Sequence, residues 1–164
     1  AGEAILEALD GRGGPIAILD HKVTESCLLR VKGFKETIGQ YNKTADNPIK
    51  IVSELPSGGN RSTGHRAMKD ILQAHGDLVG LFAINDPSAL GACAALEEDG
   101  KQQQVVVVGF DGQPEGKKAI RAGRIYADPI QFPDRMAEKT VEMIMAHFDG
   151  QPVPAKVLIP TEIY

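Results

Sequence analysis

Polar and apolar positions along the chain alternate in blocks, not residue by residue. Pro15 to Leu19, Val79 to Ile84 and Val105 to Val108 are apolar on both faces, and Ile49 to Ser53 is a similar short run. Between them apolar residues recur at helical spacing. One stripe is Cys27, Val31, Phe34 and Ile38, and another is Ala67, Met68, Ile71 and Leu72. A third runs through Leu90, Ala94, Ala95 and Leu96, and a fourth through Ala137, Val141, Ile144 and Phe148. Strands that are apolar on both faces and joined through helices predict a parallel sheet covered on both sides. The expected fold is therefore α/β, a doubly wound, mostly parallel sheet flanked by helices.

Local signals agree with that reading. Thr24 and Asn60 stand where helices should be capped. Asp86 is the expected N-cap of the helix that follows Val79 to Ile84, with Pro87 at its first position. Five predicted helices end at or just before a glycine: Gly11, Gly76, Gly100, Gly123 and Gly150. Residues 39 to 48 read as a polar connection and Leu55 to Gly59 as a loop. Ile125 to Ile130 reads as a fifth strand, broken at Pro129. Residues 155 to 164 read as an edge strand interrupted by Pro160.

Composition narrows the classes. A chain of 164 residues that is 42% apolar supports one domain with an adequate core. The net charge of −4 comes from charges mixed along the chain, so a nucleic-acid surface is not expected. No apolar run approaches the roughly 20 residues of a membrane span. Cys27 and Cys93 both fall on apolar stripes and read as two buried thiols; the alternative, a disulfide, has no positive support, so cysteine usage does not fix the compartment. The chain opens on Ala1 to Leu9, already the middle of an amphipathic helix, with no Met, cap or signal-peptide pattern. That start suggests a fragment of a longer protein, or a chain from which something upstream was removed.

Parallel strands bring every strand-to-helix junction to one carboxyl edge, where open α/β sheets bind ligands. The junctions offer Arg30, then Asn60 and Arg61, then Asn85 and Asp86, then Phe110 and Asp111, then Gln131. A guanidinium, two amides and an acid can hold many hydroxyls, and an aromatic face such as Phe110 can stack on a sugar. Each residue alone has a plainer reading as a cap, a turn or a solvated side chain; the set carries the argument. No nucleophile has a His placed beside it, so no active site is expected. The glycines at 11 to 14 precede a strand, whereas a dinucleotide loop follows one. The 57 to 64 loop lacks the Gly-Lys-Ser/Thr ending of a phosphate loop. No cluster has metal-ligand spacing, and no cofactor is expected.

These residues carry a resemblance. Phe82-Ala83-Ile84-Asn85-Asp86 with Ala89-Leu90-Gly91-Ala92, and Val107-Val108-Gly109-Phe110-Asp111-Gly112, resemble stretches of periplasmic sugar-binding proteins of the ribose type. So do Ala119 to Ile125, Arg30-Val31-Lys32-Gly33-Phe34 and Gln131-Phe132-Pro133. The match runs from about the first helix to the end. It implies one lobe, residues 1 to 164, of the type I periplasmic binding protein fold, with sugar held between two lobes. It implies ligand contacts at Arg30, Asn85, Asp111 and Gln131, with Phe110 beside them. A further aromatic contact expected near 58 to 60 is absent, since Gly59 stands there, so the sugar goes unnamed.

The resemblance also implies a non-catalytic, periplasmic solute-binding component of an ABC-type sugar importer, with the membrane transporter as partner. The alternatives are the effector domain of a LacI-type regulator and a sugar-sensing subunit for a membrane receptor. The Gly-Phe-Asp-Gly ending followed by AIRAGRI favours transport. A flavodoxin-like or Rossmann-like enzyme is disfavoured by the missing phosphate loop. In the resembling proteins the helix over 132 to 150 packs on the first lobe. Without it, the Val141, Ile144 and Phe148 stripe is expected to fold back on this lobe or meet another chain.

Overall fold

A computed structural model describes residues 1–164. Four parallel strands form the sheet, in the order β2-β1-β3-β4: β1 (Gly14–Asp20), β2 (Ile49–Pro56), β3 (Gly80–Ala83) and β4 (Val106–Val108). Single parallel bridges, Val108 with Ala127 and Asp111 with Ile130, carry the order on to β5 (Pro129–Ile130). The short β6 (Glu162–Ile163) then pairs antiparallel with β5.

Helices α1 (Gly2–Leu9) and α2 (Glu25–Tyr41) cover one face. Helices α3 (Arg61–Ala74), α4 (Asp86–Glu98) and α5 (Pro114–Arg121) cover the other. Each strand serves both layers in turn. Ile16, Ile18, Phe82 and Ile84 join the α1/α2 core, where Phe34 stacks on Phe82 with ring centroids 4.6 Å apart. Ala17, Leu19, Leu81 and Ala83 join the α3/α4 core. This is why the strands carry no polar alternation. Between α3 and α4 the backbones nearly touch. A Cβ on Gly64 would lie 2.8 Å from the Ser88 carbonyl oxygen, so only glycine fits there.

Thr24 and Asn60 cap α2 and α3 as expected, accepting from Cys27 N and Thr63 N. Four of the five helix-ending glycines, Gly11, Gly100, Gly123 and Gly150, adopt positive φ. Other expectations need correction. The cap of α4 is Asn85, not Asp86: the Asn85 Oδ1 accepts from Ser88 N at 3.1 Å, and Asp86 is the first helical residue, fully buried. Helix α2 runs three residues into the predicted polar connection, and β2 extends to Pro56. The last two strands shrink to two residues each. Cys93 is buried, its Sγ donating to the Arg124 carbonyl at 3.2 Å, but Cys27 is only half-buried.

The remaining helix, α6 (Pro133–Phe148), buries no residue. Val141, Ile144 and Met145 are exposed, and Phe148 is 80% exposed. The stripe therefore does not fold back on this lobe. The sheet faces are already covered by α1 to α5, which leaves it nothing to dock on.

Candidate functional site

The site grows from the carboxyl ends of β1, β3, β4 and β5. Arg30 lies in the second turn of α2 and reaches over the end of β3. Its Nη1 donates to the Ile84 carbonyl at 2.8 Å and pairs with Asp111 Oδ1 at 2.9 Å. Its guanidinium carbon sits 4.0 Å from the centroid of the Phe110 ring. A cation over an aromatic face contributes about 0.5–2 kcal/mol, the more the drier the pair. Both partners of the ion pair are largely shielded, with side chains 11% and 17% exposed.

Asp111 follows β4 at φ 108, a backbone conformation that L-residues rarely adopt. Its own neighbours hold it there. Asp111 N–H donates to the Pro129 carbonyl, and Gln131 N–H donates back to the Asp111 carbonyl, both at 3.0 Å. The Gln131 side chain adds Nε2 to Asp111 Oδ1 at 2.6 Å. Gln113 Nε2 reaches the other oxygen at 3.3 Å. Strain of this kind concentrates at functional positions.

The edge thus brings Arg30, Phe110, Asp111 and Gln131 into one knot. Asn85 stands beside it, one residue past the carbonyl that Arg30 holds. Its amide is committed to the fold: besides capping α4, Nδ2 donates to the Gly59 carbonyl at 3.0 Å. Asn60 and Arg61 lie outside the knot. Asn60 caps α3, and Arg61 pairs with Glu115 at 3.0 Å on the surface. Arg30, Phe110 and Gln131 also line an open cleft of about 540 Å³ that reaches Met136, Ile159 and Thr161.

Below the rim, Ser88 Oγ donates to Ser57 Oγ at 2.8 Å, and Ser57 Oγ donates to the Asp20 carbonyl at 2.9 Å. This buried relay ties the start of α4 to the ends of β1 and β2. Asp86 and Asp128 are buried nearby. Burial raises both acids, Asp128 to about 8, with Asp86 and Asp111 adding repulsion. Sequence reading missed Gln113 and Asp128. Gln113 had one usable sign, its place two residues after Asp111. Asp128 had none, because it falls inside the predicted fifth strand and not at a strand-to-helix junction.

Fold and rim together define a class: one α/β lobe with a polar, pre-ordered edge at the strand tips. The chain belongs to the family described as the periplasmic binding protein domain, whose model matches residues 1–152. It is 36% identical over 133 residues to the ribose import binding protein RbsB of Salmonella typhimurium, covering 81% of this chain and 43% of that protein. It is 32% identical over 141 residues to the D-apiose import binding protein of Paraburkholderia graminis, with 86% and 43% covered. A solute binding protein from Bacillus halodurans, solved with bound myo-inositol, superposes with a TM-score of 0.87 at 28% identity, over 99% of this chain and 55% of that one. The chain spans about half the length of the relatives it matches, 43% for both import proteins.

Proposed function

We propose that this chain is the sugar-recognition lobe of a periplasmic solute-binding protein serving an ABC importer, and that it performs no chemistry. The observation that carries the reading is the knot of Arg30, Asp111 and Gln131 on the strand tips, backed by Phe110. Its acid retains acceptor capacity and its guanidinium retains donors, which suits a polyol approached edge-on. Import binding proteins for ribose and apiose are among its relatives.

In this reading a second lobe closes over the rim and covers the Val141, Ile144 and Phe148 stripe of α6. The exposure of that stripe supports the assignment. Ligand would shift a population of open jaws to closed ones. The test is titration calorimetry of the two-lobe protein with D-ribose, D-apiose, D-allose and myo-inositol. Saturable heat with at least one of them, abolished in Asp111→Ala, is expected. Unchanged affinity in that variant would place the site elsewhere.

A further inference from the structure

Beneath the rim lies an acid pair that the ligand knot does not use. Asp86 opens α4, Asp128 precedes β5, and both side chains are fully buried. Asp86 Oδ2 accepts the Gln113 N–H at 2.6 Å. Asp86 Oδ1 and both Asp128 oxygens have no hydrogen-bond partner, and the two carboxyls crowd one point: a Cβ on Gly109 would lie 2.2 Å from Asp128 Oδ1 and 3.3 Å from Asp86 Oδ1. The Gly109 N–H next to Asp128 is committed to the Ala127 carbonyl.

Glycines make the room. A Cβ at 116 would lie 2.5 Å from each Asp86 oxygen, and one at 109 would overlap Asp128 Oδ1. No cation enters from any side. Arg30 of α2 is the positive group felt by Asp86, but it is bonded to Asp111 and Ile84. Asp111, on the loop above, adds negative charge. From α4 comes the Cys93 thiol, pushed up to about 12 by burial and therefore neutral. From α5 comes Gly116, and Tyr164, the residue after β6, pairs its backbone with that of Asp128. Two dry carboxylates at this separation do not both ionise.

We propose that Asp128 and Asp86 share one proton and act as positioning residues for the rim. The Asp128 hydroxyl donates to Asp86, and this bond, together with Gln113 N–H on Asp86, holds the 109–113 loop that presents Phe110 and Asp111. The device stands on carboxyl geometry whichever guest the rim takes. Its sign follows from linkage. An acid raised in the folded state contributes stability that is whole below the unfolded value, about 4. That contribution is lost as pH rises through the folded value of about 8. Above it, two charges face each other under the loop.

The test is a ¹³C titration of the aspartate carboxyls of the full chain from pH 4 to 10, with amide spectra of residues 109–113 followed in parallel. One carboxyl titrating near pH 8, with Phe110 and Asp111 amides shifting at the same midpoint, is expected. In Asp128→Asn the new amide donates to Asp86 without titrating, so both transitions vanish and the loop keeps its neutral-pH signals. Both buried acids ionising below pH 5 in the parent would overturn the proposal, and this holds even if the variant does not fold. So would a loop transition near pH 8 that persists in Asp128→Asn.

Discussion

Helices α4 and α6 make an instructive pair. Both are locally well specified, each with Pro in its first turn. Yet α4 buries nine of its 13 residues and α6 buries none of its 16. The difference lies in what the rest of the chain offers. Helix α4 fills a slot between the sheet, α3 and α5, whereas α6 follows the last strand tip after both sheet faces are occupied. Local sequence makes a helix; only tertiary context decides whether its apolar stripe has a partner.

The contrast can be tested in order of expected size. Leu96→Ala on α4 removes a side chain that is 1% exposed. It should cost about 2–5 kcal/mol in urea unfolding, through lost transfer energy and a residual cavity. Next is Asp111→Ala on the rim, which cuts one partner from a shielded, hydrogen-bonded charge pair. Calorimetry on the two-lobe protein should show affinity falling at least about 100-fold, near the roughly 3 kcal/mol typical of such cuts. Asn85→Ala removes the α4 cap and should cost about 1 kcal/mol, read as a lower urea midpoint with unchanged slope. Smallest is Phe148→Ala on α6, which should stay within about 0.5 kcal/mol in this chain. A loss there as large as at Leu96 would mean that α6 is packed after all.

Much of this was legible in the sequence, and the physical reasons differ from place to place. The runs at 15–19 and 79–84 announced a sheet buried on both sides because every position meets a core. The parallel arrangement then carried Arg30, Phe110, Asp111 and Gln131 to one edge. The cap of α4 was misplaced by one residue because Asn85 and Asp86 are both capping types, and local chemistry cannot rank them. The decision came from the loop at 109–113 and Gly116, which close over Asp86 from far along the chain. The final strands were overdrawn for a related reason. Glu162 and Ile163 join the sheet by pairing with a distant edge, and no local periodicity records that. The amphipathic stripe of α6 is legible in the spacing of Val141, Ile144 and Phe148, but whether this lobe buries it is not, because both sheet faces are filled by elements remote in sequence.

The amide of Asn85 has a further implication. One oxygen finishes a helix and one nitrogen grips the Gly59 carbonyl, so the turn after β2 and the start of α4 share a single fastener. Swinging that turn outward to admit a bulkier guest would fray the helix at the same moment. This rim should therefore offer any guest a fixed shape.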